Sequence, residues 1–131
     1  MTNVGSSLGK SVLIVEDDYI FQSELERAFR RAGFGILGPM KVAAARAALA
    51  SFRNGSHPDA IVLGVGMVGS ELRALTGELR ALNVPLVLFS PLGLVGPPEE
   101  LAGLPHWTTL RGYDGLAADV RRRIESARPV S

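Results

Sequence analysis

Five short, nearly uninterrupted apolar runs alternate along the chain with segments whose apolar residues recur at helical spacing, and this alternation leaves few folds open. The runs are SVLIV (11–15), FGIL (34–37), AIVL (60–63), PLVLF (85–89) and WTTL (107–110). Four of them lack the polar–apolar alternation of a strand with one wet face. They fit strands covered on both sides, which is the condition of a parallel sheet. Between the runs, Phe21, Leu25, Ala28, Phe29 and Ala32 trace one helical stripe, with Gly33 placed to cap it. Val42, Ala45, Leu49 and Phe52 trace a second stripe, Leu72, Leu75, Leu79 and Leu82 a third, and Leu116, Val120 and Ile124 the last. Strand–helix alternation with right-handed crossovers predicts an α/β, three-layer, doubly wound parallel sheet. The connection after the fourth run is the exception. PLGLVGPPEELAGLP (91–105) is rich in proline and glycine, so a short or irregular helix in a mobile segment is expected there.

Composition narrows the class further. A chain of 131 residues suits one domain with a real core. A net charge of +1 gives no global attraction to nucleic acid or an anionic membrane. The lack of cysteine excludes structural disulfides and thiolate metal sites. No apolar run approaches the ~20 residues that span a bilayer, and MTNVGSSLGK lacks the apolar core of a secretory signal. The expectation is a cytoplasmic protein with a flexible leader over residues 1–9 and a single domain over 10–128.

Three segments imitate catalytic motifs. GSSLGKS (5–11) is one residue short of a phosphate-binding loop and precedes a strand instead of following one. Gly5 to Gly9 match G-x-S-x-G, but no strand leads into that elbow. Gly64-Val65-Gly66-Met67-Val68-Gly69 reads G-x-G-x-x-G with a strand before it and a helix after it. A dinucleotide turn belongs on the first strand, however, and needs an acidic residue ending the next strand; that strand ends VLFSPLG. A small nucleotide- or phospho-ligand site using the Gly64–Gly69 loop is therefore the weaker reading.

The end of the first run, VLIVEDDY, places Glu16, Asp17 and Asp18 side by side. Packed like charges repel, so the cluster calls for a cause. Capping of the next helix accounts for one carboxylate well and two tolerably. The functional reading is a hard-cation site at the carboxyl edge of a parallel sheet.

Here SVLIVEDDY, HPDAIVL and VPLVLFS, with the helix spacing between them, resemble the receiver domain of bacterial two-component response regulators over residues 10–127. GFGILGP and the Phe before Ser90 resemble a stand-alone group of receivers that lack an output domain. The resemblance implies a flavodoxin-like, five-stranded parallel sheet in the order 2-1-3-4-5. It also implies phosphoryl transfer from a kinase histidine to an aspartate ending strand three, with Mg²⁺ held by that aspartate, an acidic pair and a backbone carbonyl. Glu16 and Asp17 match the acidic pair, Gly66 the carbonyl and Ser90 the hydroxyl that follows strand four. The phosphoacceptor position is Gly64, the lysine position is Arg111, and Gly112 stands where the family has proline.

Glycine offers no oxygen to phosphorylate and removes a metal ligand. The expectation is a degenerate (pseudo-)receiver, not an enzyme, that acts as a phosphorylation-independent interaction module in phosphorelay signalling. Mg²⁺ should bind weakly or not at all at a residual Glu16–Asp17–Gly66 site. Arg111 is expected to lie across Glu16 and Asp17 as an ion pair, and the Arg111–Gly112 bond to be trans. The partner would be a histidine kinase, another regulator or a second copy of the chain. Its docking face would run over residues 92–107 and the last helix, with Leu92, Leu94, Val95 and Trp107 as apolar anchors. The rival reading places phosphorylation at Asp17, Asp18 or Ser90. His57 and His106 are read as loop or surface residues without partners, and Arg121–Arg123 as a solvated helix face.

Overall fold

The computed structural model describes residues 9–54, 57–65, 70–90, 101 and 103–127. The leader over residues 1–8, Gly66 to Gly69, and residues 91–100 with Leu92, Leu94 and Val95 lie outside them. The described elements are β1 (Ser11–Val15), α1 (Tyr19–Arg31), β2 (Gly35–Met40), α2 (Val42–Ala47), α3 (Leu49–Asn54) and β3 (Ala60–Gly64). They continue with α4 (Ser70–Arg80), β4 (Leu86–Ser90), β5 (His106–Thr108) and α5 (Tyr113–Ala127). The strands form one parallel five-stranded sheet in the order β2-β1-β3-β4-β5.

Alternate residues of the buried strands feed two cores. Leu13, Val15, Ile61, Leu63 and Leu88 face α2, α3 and α4, meeting Val42, Phe52, Leu75 and Leu79. Val12, Ile14, Val62, Val87 and Phe89 face α1 and α5, meeting Leu25, Phe29, Leu116 and Val120. Burial on both faces explains why these strands read as continuous apolar runs.

Several boundaries differ from the sequence expectation. β2 runs on to Met40 through Pro39 because it is an edge strand, where a missing N–H is tolerated. The register slips between Leu13 and Val15 of β1, and Gly38 at φ 91° fills the irregularity. A Cβ at Gly38 would sit 3.0 Å from the Ile14 carbonyl oxygen. The second helical stripe is two helices, broken at Ala48, whose carbonyl accepts from Ser51 N–H at 3.0 Å. β5 is short, and Thr109–Arg111 form a 3-10 turn, so Thr109 and Leu110 leave the expected strand. Among the described residues no helix is long and apolar enough to cross a membrane.

Candidate functional site

Three strands end together at the carboxyl edge of the sheet. β1 delivers Glu16, Asp17 and Asp18 there, β3 delivers Gly64, and β4 delivers Ser90.

The three carboxylates have separate duties. Asp18 is the N-cap of α1, its Oδ1 accepting from Ile20 N–H at 2.8 Å and Phe21 N–H at 3.2 Å. Asp17 caps a different helix: Oδ1 accepts from Val42 N–H at 2.9 Å, at the start of α2. Both are exposed. Glu16 alone is buried, at 5% exposure. Its Oε2 accepts from Asp18 N–H at 2.9 Å, and its carbonyl accepts from Gln22 Nε2 at 2.6 Å.

Among the described residues Glu16 Oε1 has no hydrogen-bond partner, and it lies over Gly64. A Cβ built on Gly64 would overlap that oxygen and come within 2.7 Å of the Glu16 carboxyl carbon. The Glu16 carboxyl thus occupies the space in which any side chain at position 64 would begin. Burial raises its pKa, and the neighbouring charges of Asp18 and Asp17 push the same way against stabilising backbone hydrogen bonds. A cavity of about 420 Å³ opens here, bordered by Glu16, Asp17, Asp18, Lys41 and Gly64. Among the described residues no group of three His, Cys, Asp or Glu side chains is placed to hold a metal.

Ser90 is buried, at 1% exposure, and its hydroxyl pairs with His106 Nε2 at 2.5 Å. His106 therefore does have a partner, contrary to the sequence expectation. Burial lowers the His106 pKa, favouring the neutral ring. His57 also has contacts, with ring nitrogens 3.0 Å from the Pro58 carbonyl and 3.2 Å from the Leu82 carbonyl, a loop role.

Arg111 corrects a second expectation. It pairs with neither Glu16 nor Asp17 among the described residues; its guanidinium lies 3.8 Å from the centroid of the Trp107 ring. The intervening turn brings residues four apart into register, and the aromatic face offers a cation–π contact without desolvating two carboxylates. Trp107 in turn is buried, and its Nε1–H donates to the Gly112 carbonyl at 2.9 Å, so it is no exposed anchor. The only cis peptide bond among the described residues is Gly38–Pro39, which leaves Arg111–Gly112 trans.

The arginine run is not a bare solvated face either. Asp119, buried at 8% exposure, holds Arg122 at 3.0 Å and Arg123 at 2.6 Å. Both arginines border a shallow groove of about 760 Å³ at the opposite, amino edge of β4 and β5, far from the carboxylates.

No family model and no curated protein sequence matches this chain. Solved structures do. A response regulator receiver protein from Sinorhizobium medicae superimposes with a TM-score of 0.71 at 16% identity, over 91% of this chain and 97% of that one. The chain has the receiver fold. A putative response regulator from Chloroflexus aurantiacus matches at 0.68 and 20% identity, over 88% of this chain and 98% of that one. A chain of the complex between histidine kinase ThkA and response regulator TrrA matches at 0.66 and 19%, over 86% and 97%. Receivers of two-component signalling are thus its structural neighbours.

Proposed function

We propose that the chain is a pseudo-receiver, a non-enzymatic protein-interaction module of two-component signalling whose binding does not depend on phosphorylation. One observation carries this reading: the position that matches the receiver phosphoacceptor is Gly64, and the Glu16 carboxyl fills the space above it. Without a carboxylate at position 64 that position offers neither a phosphoryl acceptor nor the third carboxylate ligand for a metal. The kinase–regulator complex among the structural neighbours supports a histidine kinase as one class of partner, with another regulator or a second copy as others.

The alternative acceptors are poorly suited. Asp17 and Asp18 each commit one oxygen, Oδ1, to the amides of a helix start, and Ser90 is buried against His106. Incubation with acetyl phosphate and Mg²⁺, or with a phosphorylated kinase, should leave no acid-labile phosphate on a Phos-tag gel. Mass spectrometry of the digest should return unmodified peptides containing Asp17, Asp18 and Ser90. A phosphopeptide at any of the three would replace this reading with that of a receiver modified at a non-standard residue.

A further inference from the structure

At the amino edge of the sheet, opposite the carboxylates, β4 and β5 are both entered through proline. Pro85 and Pro105 have no N–H to offer. Their half-buried rings lie with Val84, Leu86 and Leu104 along the groove of about 760 Å³. The lining that these five residues supply is apolar, whereas the charged residues beside them are mostly cationic. Arg80 ends α4, and Arg122 and Arg123 stand in the last turns of α5.

The two α5 arginines are anchored from below. Asp119 lies one turn earlier on the helix, its Oδ1 accepting from Arg122 Nη2 at 3.0 Å and its Oδ2 from Arg123 Nε at 2.6 Å. The acid is buried at 8% exposure, but the arginine side chains remain 65% and 41% exposed. A guanidinium carries five N–H donors and Asp119 takes one from each, so both forks keep donors for an incoming acceptor. Side chains already held in place lose less freedom when a partner binds. Three guanidiniums against one carboxylate leave this groove with two excess positive charges, in a chain whose net charge is only +1.

An apolar surface set among cations is complementary to carboxylates carried beside apolar side chains, and an arginine fork meets a carboxylate through two parallel hydrogen bonds. Nucleic acid is the poorer match, because its phosphates call for cations spaced along a backbone and have no use for an apolar floor. A small molecule is better served by an enclosed cavity than by a shallow groove. We propose that this groove docks an acidic segment of a partner protein, its interspersed large apolar residues covering Pro85, Leu104 and Pro105 and its carboxylates meeting Arg80, Arg122 and Arg123. The proposal rests on the reading of the chain as a protein-interaction module and names the surface and the partner chemistry. It keeps the last helix in the docking face but moves the apolar anchors from Leu92, Leu94, Val95 and Trp107 to the entrances of β4 and β5.

The test uses the ¹⁵N-labelled full chain and a short capped peptide of glutamates among leucines, alongside the same peptide with glutamines in their place. The glutamate peptide should shift the amides of Asn83, Leu104 and Arg123 saturably, and the glutamine peptide should bind at least roughly tenfold more weakly. Arg80→Gln, an exposed change at a helix end, should weaken the glutamate peptide roughly threefold, the scale of one exposed ion pair, and Arg123→Gln should act in the same direction. Equal binding of both peptides, no shift from either, or unchanged affinity in both arginine variants would overturn the proposal. Saturation of the same amides by inorganic phosphate at equal affinity would also overturn it, by reassigning the groove to a free anion. Acetyl phosphate with Mg²⁺, added without peptide, tests the parent reading at the other edge of the sheet. Saturable shifts there, at the amides of Asp17, Asp18 and Gly64, would sink the pseudo-receiver assignment and leave the groove result standing. A silent carboxyl edge with no peptide binding removes only the docking proposal.

Discussion

At position 64 the absence of a side chain and the position of a neighbouring one are a single fact. Glu16 turns its carboxyl over Gly64, where a Cβ would stand within 2.7 Å of the carboxyl carbon. Gly64→Ala should therefore destabilise the fold by about 1–3 kcal/mol, the usual cost of overpacking. Truncating Glu16 to alanine should relieve most of that penalty, so a double-mutant cycle by urea unfolding should return a clear coupling between the two sites. Additive effects would mean that the contact is not made. Glu16 also fixes a pH dependence. Its folded pKa is raised above 4.5 by burial, so between those values the folded chain holds more protons than the unfolded one. Stability must then fall as pH rises through the raised value. Glu16→Gln should abolish that slope and be the more stable protein at neutral pH. The sequence displayed the glycine and the three carboxylates, but not their division of labour. Whether a carboxylate caps a helix, and which helix, depends on where α2 begins against β1, a tertiary fact.

Elements bring together what the chain keeps apart. Ser90 and His106 end and begin strands that pair in parallel; the β4–β5 register sets Ser90 opposite Thr108 and His106 opposite Leu88, and the two side chains meet diagonally across the pair. No local signal could have revealed it, because the segment between them has no periodicity to count along. His106→Leu should strand the buried Ser90 hydroxyl and cost about 1–3 kcal/mol, and Ser90→Ala in that background should recover part of it. Since burial lowers the His106 pKa below 6.5, the unfolded chain takes the proton first as pH falls. His106 thus contributes stability above that value which is lost as pH drops through the folded pKa. The turn after β5 works locally instead, setting Arg111 over Trp107. Because Arg111 is exposed, Arg111→Ala should cost only about 0.5–1 kcal/mol, with a red-shifted Trp107 emission as the ring gains solvent. Strands and helix stripes were legible because double-sided burial writes itself as apolar runs. The extension of β2 was hidden by Pro39, which only an edge strand accepts, and the break at Ala48 carries no glycine or proline to announce it.

For the molecule as a whole, the fold is shared with receivers at 16–20% identity because it depends on pattern, not on particular residues. The chemistry of such a fold resides in a few side chains at one edge, and it can be lost while the scaffold stays. Ligand linkage makes such a loss, where it has occurred, measurable on the entire chain. A site that binds the folded state alone stabilises it by about 2.7 kcal/mol at a hundredfold excess over Kd, whereas a site that does not bind leaves the unfolding curve unmoved. Thermal unfolding of the wild-type chain should therefore be insensitive to Mg²⁺ at matched ionic strength. In Gly64→Asp the new side chain must displace the Glu16 carboxyl, which sits at the far end of a flexible chain and can swing toward the cavity. That rearrangement costs stability without metal, since it crowds a third carboxylate against Glu16 and Asp17. The same crowding supplies oxygen ligands that the wild type lacks, so Mg²⁺ should restore the lost stability in the variant alone. The expected result is thus a crossed pattern: the variant melts lower than the wild type in the absence of Mg²⁺ and gains specifically when it is added. An equal Mg²⁺ shift in both proteins would show that the wild-type edge still binds the cation without a carboxylate at position 64, and the receiver would not be degenerate.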